Sequence, residues 1–363
     1  MSGDADSKPA LHTLDFAILG TARSGTSALS RLINEDPGCF CGTEYFSGAW
    51  KADYATMAMP EAFLGPEFRA TNEQNTKLTQ TTLRRKLEAG KVVAYGNKHP
   101  SYFLIMEQLQ RQLPALRSLF IYRDIGEVSV SWDRRAANPK DRWQEGRTGL
   151  FSLLEWIISV SRLGEAQRRI RIVDYAALFF TDPQLAKRVI FFVSGRMPSV
   201  ATLERIHGTI VRGGAAPAPA VTRHDAFLAT IGNDGLRALI HGQGFVPARV
   251  LAAQLGDFAA ANLPKVFDYV AARIAEEGSA AERGFALQWA QKKAQLFDNP
   301  GSRTYAAMAA SIEGLLERLC AVGGGPERER ADTVLAMLRR RGAQAAAARA
   351  KLAAKRSAPA AAD

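Results

Sequence analysis

The sequence predicts an α/β protein, a parallel sheet with helices on both faces and an additional helical region toward the C-terminus. Two observations lead there. Short apolar runs at 16–19, 39–41, 91–95, 118–122 and 170–173 alternate with segments of helical period in the first half of the chain, the pattern of crossover-connected parallel strands. Arg23, Glu44, Lys98, Arg123 and Tyr175 each follow one of those runs closely, and open parallel sheets bind ligands beyond the carboxyl ends of their strands.

Taken in order, residues 1–13 are a polar tail without the apolar core of a signal peptide. Phe16 to Leu19 suits a buried strand, and a helical pattern begins at Thr26 and continues through Leu29, Leu32 and Ile33. Asn34-Glu35-Asp36-Pro37-Gly38 stops it. Cys39 and Cys41, on the second strand, read as small core residues; with Cys320 they make neither a disulfide framework nor a metal-ligand set. Residues 50–70 mix aromatics, Met, Pro and Gly without a period, and are expected to be an irregular segment on the substrate side. Helices are expected over 76–89, 101–113, 126–137 and 147–166, with Asn97-Lys98-His99-Pro100 after the third strand. A Gly/Ala/Pro linker at 212–219 precedes a stretch in which every periodic segment is helical. The expected organisation is a 1–13 tail, a 14–222 core, a 223–341 helical subdomain or cap, and a 342–363 basic, Ala-rich tail.

At 363 residues the chain can bury a full core. Its net charge is +11, but nine Lys/Arg against four Asp/Glu fall after Gly325. The remainder is mildly basic, which suits an anionic ligand and does not call for nucleic acid. The longest apolar stretch, 150–160, is interrupted by Glu155 and too short to span a bilayer. A cytoplasmic protein with no membrane span is expected; the oligomeric state is not legible.

The chemistry concentrates in Gly20-Thr21-Ala22-Arg23-Ser24-Gly25-Thr26. Strand, glycine-bounded loop and helix direct free backbone N–H groups, backed by the helix dipole, at an anion. The glycine spacing is that of a Walker A loop, but Thr26 stands where its Lys belongs, and the cation is Arg23. The loop is built for a phosphate or sulfate rather than for the usual Mg-nucleotide. The fold expectation is thus a three-layer, P-loop-like sheet.

Arg23-Ser24-Gly25-Thr26 after a strand resembles the 5′-phosphosulfate loop of sulfotransferases that use 3′-phosphoadenosine 5′-phosphosulfate (PAPS). A second stretch, Tyr122-Arg123-Asp124-Ile125-Gly126-Glu127-Val128-Ser129-Val130-Ser131, resembles the family's 3′-phosphate segment, an Arg at a strand end and a Ser eight residues on. The alternative reading of Arg123 is a surface residue in a capping turn with Asp124 as the cap. Asp174-Tyr175-Ala176-Ala177-Leu178 with Asp182-Pro183 partly matches the family stretch whose Tyr lies near adenine, and Lys98-His99-Pro100 resembles a Lys-x-Pro near the transferred group. The resemblance spans roughly 14–194 and fades beyond.

The resemblance implies PAPS as co-substrate, no metal, and sulfuryl transfer to a hydroxyl or amine of an acceptor: carbohydrate, peptide or small metabolite. Arg23, Ser24, Gly25, Thr26, Ser27, Arg123, Ser131 and Tyr175 would bind the co-substrate. Arg23 and Lys98 would stabilise the charge that develops on the bridging oxygen. Glu44 is the candidate base, by analogy with heparan-type relatives, and His99 is its rival, by analogy with cytosolic ones. Two other classes stay open: a P-loop-like kinase or hydrolase, and a non-catalytic anion-binding protein working through its basic tail. Against the first stand Thr26 and an Arg, not an Asp, after residues 118–122.

Overall fold

The computed structural model describes residues 14–45, 60–65, 70–141, 143–165, 169–211, 220–296 and 303–357. The expected 1–13 tail, most of the irregular 50–70 segment and the 212–219 linker lie outside them. In chain order the elements are β1 Phe16–Leu19, α1 Thr26–Glu35, β2 Cys39–Thr43, α2 Glu73–Glu88, β3 Ala94–Lys98, α3 Met106–Gln112, β4 Arg117–Tyr122 and α4 Ile125–Ala136. There follow α5 Gly149–Gly164, β5 Ile170–Asp174, α6 Leu185–Ser194, α7 Val200–Thr209, α8 Asp225–Thr230, α9 Asn233–His241 and β6 Phe245–Pro247. Four helices complete the chain: α10 Ala248–Glu277, α11 Ala280–Leu296, α12 Arg303–Val322 and α13 Gly325–Ser357.

The strands form one sheet in the order β2-β3-β1-β4-β5-β6. All pairs are parallel except β6, which runs antiparallel along the β5 edge. Side chains alternate across a strand, so a sheet covered on both faces needs apolar residues at every position. Phe16, Ile18, Leu119, Ile121 and Val173 pack on one face with Leu29, Ile33, Val189 and Ile206 of α1, α6 and α7. Ala17, Leu19, Phe120 and Ile172 pack on the other with Trp132 of α4 and Phe151, Leu154 and Ile158 of α5. This is the expected three-layer α/β arrangement.

Helix α5 is buried almost all round, as a helix clamped between a sheet and further helices must be. Its outer side meets α10 where Gly164 faces Gly256: a Cβ on Gly164 would stand 2.6 Å from the Gly256 Cα. The C-terminal helices α10 to α13 thereby share one continuous core with the sheet. Among the described residues no helix is long and apolar enough to cross a membrane.

Three elements differ from expectation. The third strand lies at Ala94–Lys98, not at 91–95. Val93 is partly exposed, while Asn97 and Lys98 are buried because each finds polar partners. Residues 101–113 are not one helix: Pro100–Ile105 is a 3₁₀ segment, with Pro at its first position and the His99 ring as its cap, before α3. Phe245–Pro247, inside the stretch where every periodic segment was expected to be helical, forms the short strand β6.

Candidate active site

Arg23, Glu44, Lys98, Arg123 and Tyr175 end or follow β1, β2, β3, β4 and β5 at the carboxyl edge of the sheet. Gly20 closes β1 with φ +150°, and a Cβ there would lie 2.7 Å from the Ile121 carbonyl oxygen. Gly25 has φ +103° and presses against the Tyr175 ring, which a Cβ would meet at 2.6 Å. Between them Arg23 adopts φ +74°. Helix α1 begins at Thr26 with no side-chain cap and no acidic residue in its first turn, so its N–H groups and dipole remain available to an anion. The Ser24 hydroxyl is buried in this loop without a hydrogen-bond partner. Ser27, one residue into the helix, is exposed.

Helix α4 and β4 complete the first group. Arg23 Nε donates to Ser131 Oγ at 3.1 Å, and Arg123 Nη1 donates to the Arg23 carbonyl at 3.3 Å. The Arg123 guanidinium lies over the Tyr175 ring, 4.5 Å from its centroid, and its Nε is tied to Glu127 at 2.6 Å. Asp124 accepts the Gly126 amide at 3.0 Å and caps α4, so the capping turn and the cationic site coexist. Trp132 Nε1 donates to the Ala22 carbonyl at 2.9 Å and pins the loop from below. Burial, then the like charges of Arg135 and Arg123, lower the Arg23 guanidinium from its ordinary value. A bound anion would relieve that repulsion.

Beside Tyr175 two cavities open. One, of about 340 Å³, is bounded by Arg123, Glu127, Arg237 and His241. The other, of about 520 Å³, runs along α1 between Ala28, Arg31, Tyr175, Phe179, Phe180 and the 207–211 segment.

The second group stands on the neighbouring strands. Lys98 pairs with Ile18 in the sheet register, two residues before Gly20. Its ammonium, fully buried, meets Glu44 Oε1 at 2.7 Å, and Thr71 Oγ1 donates to Glu44 Oε2 at 2.5 Å. Glu44 has φ +55°. Among the described residues, positive φ outside glycine occurs at Arg23, Glu44 and Arg169, so two of the three such residues lie in the site, where strained backbone tends to collect. Burial acts to raise the Glu44 carboxyl, but the charge and hydrogen bond of Lys98, with the Thr71 hydroxyl, outweigh it and hold the carboxyl at about 2. His99 is buried behind this pair; its Nδ1 accepts the Ser101 amide at 3.2 Å, and burial lowers the ring to about 3, against the pull of Glu44. Both rivals for the base are thus weak bases in the unliganded protein.

Two contributors escape sequence reasoning. Arg147 is sandwiched between Trp132 and Trp143, its guanidinium carbon 4.3 and 4.1 Å from the ring centroids, and its buried Nε has no partner. Burial lowers its pKa, opposed by the charges of Glu155 and Glu44. An arginine set between Gly146 and Gly149 at the head of an apolar helix is the faint signal it leaves in sequence. Lys293 of α11 reaches Glu155 on α5, and its charge also acts on His99. No group of three or more His, Cys, Asp or Glu suited to a metal ion occurs among the described residues.

No family model and no curated protein matches this chain. Among solved structures it is similar to the crystal structure of sulfotransferase STF9 from Mycobacterium avium, at 17% identity, over 55% of this chain and 68% of that one, with a TM-score of 0.34.

Proposed function

We propose that the protein is a sulfotransferase that takes PAPS at the crossing of Arg23 and Arg123 and moves its sulfuryl group to an acceptor held beside Glu44. The observation that carries this reading is the loop of β1. It combines an uncapped helix N-terminus, a buried Ser24 hydroxyl without a partner, and two guanidiniums converging from β1 and β4. That set fits a ligand with two separated anionic groups. PAPS, when bound, supplies the activated sulfuryl group and a phosphate leaving group.

On this reading the Ser24 hydroxyl and the amides from Gly25 to Ser27 would hold the 5′-phosphate end, and Arg23 would supply the charge that stabilises the leaving oxygen. Arg123 offers its fork to the 3′-phosphate, with Ser131 in reach through Arg23. The aromatic cavity along α1 suits the adenine ring against Tyr175, Phe179 and Phe180. Lys98 would supply the cation for the sulfonate, and in doing so would be shared between that group and Glu44. Any weakening of the Lys98 contact would restore basicity to Glu44, the residue that would accept the proton of the acceptor hydroxyl.

The kinase or hydrolase reading is less well supported, because Asp124 is committed to capping α4 and to Arg237. The deciding experiment is calorimetry with adenosine 3′,5′-bisphosphate in the absence of Mg²⁺, against ATP with Mg²⁺. Preference for the bisphosphate supports the proposal, and preference for Mg-ATP sinks it.

A further inference from the structure

Beyond Glu44 lies a groove of about 1080 Å³. One wall is the start of α2 and the residues before it, including Asn72, Gln74 and Lys77; the other follows α4, with Arg135, Asn138 and Asp141. The groove adjoins both halves of the site. Thr71 lines it and also donates to Glu44, while Arg135 and Asp141 line it and act electrostatically on Arg23. It is thus one residue removed from both the candidate base and the transfer cation, within reach of an acceptor whose reacting hydroxyl extends between them.

Its chemistry names the acceptor. Every described side chain that lines it is polar. A phenol, a steroid or a tyrosine ring needs an apolar slot, and setting one against these walls would strip water from polar groups without replacing it. The charged groups are largely paired already: Lys77 with Glu73 at 2.8 Å, and Arg135 with Asp141 at 2.5 Å. With Lys140 they leave the described wall at one net positive charge, an ordered Arg135–Asp141 pair facing an exposed Lys77–Glu73 pair, which suits neutral hydroxyls better than a polyanion. Asn72 and Asn138 each give their side-chain oxygen to a backbone amide, which leaves the Nδ2 groups to donate. The volume exceeds what one small metabolite fills. Arg135, stacked over Trp143 at 4.8 Å, is held in place.

We propose that this groove binds a hydroxyl-rich, largely uncharged oligosaccharide as the sulfuryl acceptor. The proposal rests on the sulfotransferase reading for the transfer step and on the groove alone for binding, so the two are tested apart. Saturation-transfer NMR on the whole protein would compare neutral oligosaccharides of three to six hexose units, a uronate-containing oligosaccharide, a tyrosyl peptide and p-nitrophenol. The same panel would then be offered with labelled PAPS. Neutral oligosaccharides are expected to bind and to be labelled. Gln74→Ala/Asn138→Ala is expected to weaken their binding about tenfold, the scale of one to two lost hydrogen bonds. Its affinity for adenosine 3′,5′-bisphosphate should stay unchanged. Label entering only the peptide, the phenol or the uronate overturns the proposal, as does oligosaccharide binding that the double variant leaves intact. If oligosaccharides bind in the groove but neither PAPS nor the bisphosphate does, the transfer reading fails while the groove assignment stands.

Discussion

Lys293, on α11, meets Glu155, on α5, at 2.5 Å, and both side chains are buried. Trp289 Nε1 donates to the same carboxylate oxygen at 3.1 Å. The pair joins a C-terminal helix to the helix that backs the sheet. Removing one member strands a charge in the core, which typically costs about 3–5 kcal/mol, whereas neutralising both often costs little. Lys293→Met is expected to lose about 3 kcal/mol, at the lower end because the charge of Arg147 also acts on Glu155. Glu155→Gln/Lys293→Met keeps an acceptor for Trp289 and should recover most of the loss. Urea unfolding of both variants at neutral pH measures this, and strictly additive losses would show that the two residues are not coupled.

That pair also explains what the sequence conceals. Strands β1, β4 and β5 are legible because each is an apolar run that stops at Gly20, Arg123 or Tyr175. Strand β3 is displaced by three residues because Val92 and Val93 are the most apolar pair nearby. The residues inside the sheet, Asn97 and Lys98, are tolerated only through Tyr45, Tyr102 and Glu44, which the chain brings in from elsewhere. Strand β6 exists only as a partner for Arg171 to Val173, and three residues ending in Pro247 carry no periodicity of their own. Within the candidate site, contacts are legible where one motif holds them, as with Arg123 and Glu127. They are hidden at Lys293, whose partner Glu155 lies far away in sequence, and at Arg147, whose ring partners Trp132 and Trp143 belong to no motif.

Glu127 makes a test of opposite sign possible. Its carboxylate holds Arg123 Nε at 2.6 Å and so competes with any phosphate that Arg123 would bind. Arg123→Ala is expected to weaken adenosine 3′,5′-bisphosphate by about 1.5–3 kcal/mol. Glu127→Gln removes a like charge from the ligand's side and should tighten it, by up to about tenfold. Calorimetry on both decides the matter: weaker binding in Glu127→Gln would mean that the carboxylate orients Arg123 more than it obstructs it.

Ser24 separates folding from binding. Its buried hydroxyl has no partner in the protein, so Ser24→Ala should leave thermal stability unchanged or slightly raised. Affinity for the bisphosphate should fall by about 1 kcal/mol, one hydrogen bond's share. A clear loss of stability with unaltered affinity would make the hydroxyl a structural group of the loop.

Glu44 carries the last test. Its folded pKa, about 2, lies below the value of about 4.3 expected in the unfolded chain. Its ion pair with Lys98 therefore contributes stability above the unfolded value, lost as pH falls toward the folded one. In the unliganded protein it is ionised throughout the neutral range, and His99, lowered to about 3, is neutral there. Neither group should titrate between pH 5 and 8, so kcat/KM is expected to show no acid limb in that window, since it reports the free enzyme. Glu44→Gln at saturating PAPS should lower the rate by about 10² to 10⁴, while the matched His99→Asn should cost less. Bisphosphate affinity should survive in both, because neither residue stands in the Arg23–Arg123 group. An acid limb near pH 6.5 that vanishes in His99→Asn, with Glu44→Gln still turning over, would transfer the role of base to His99.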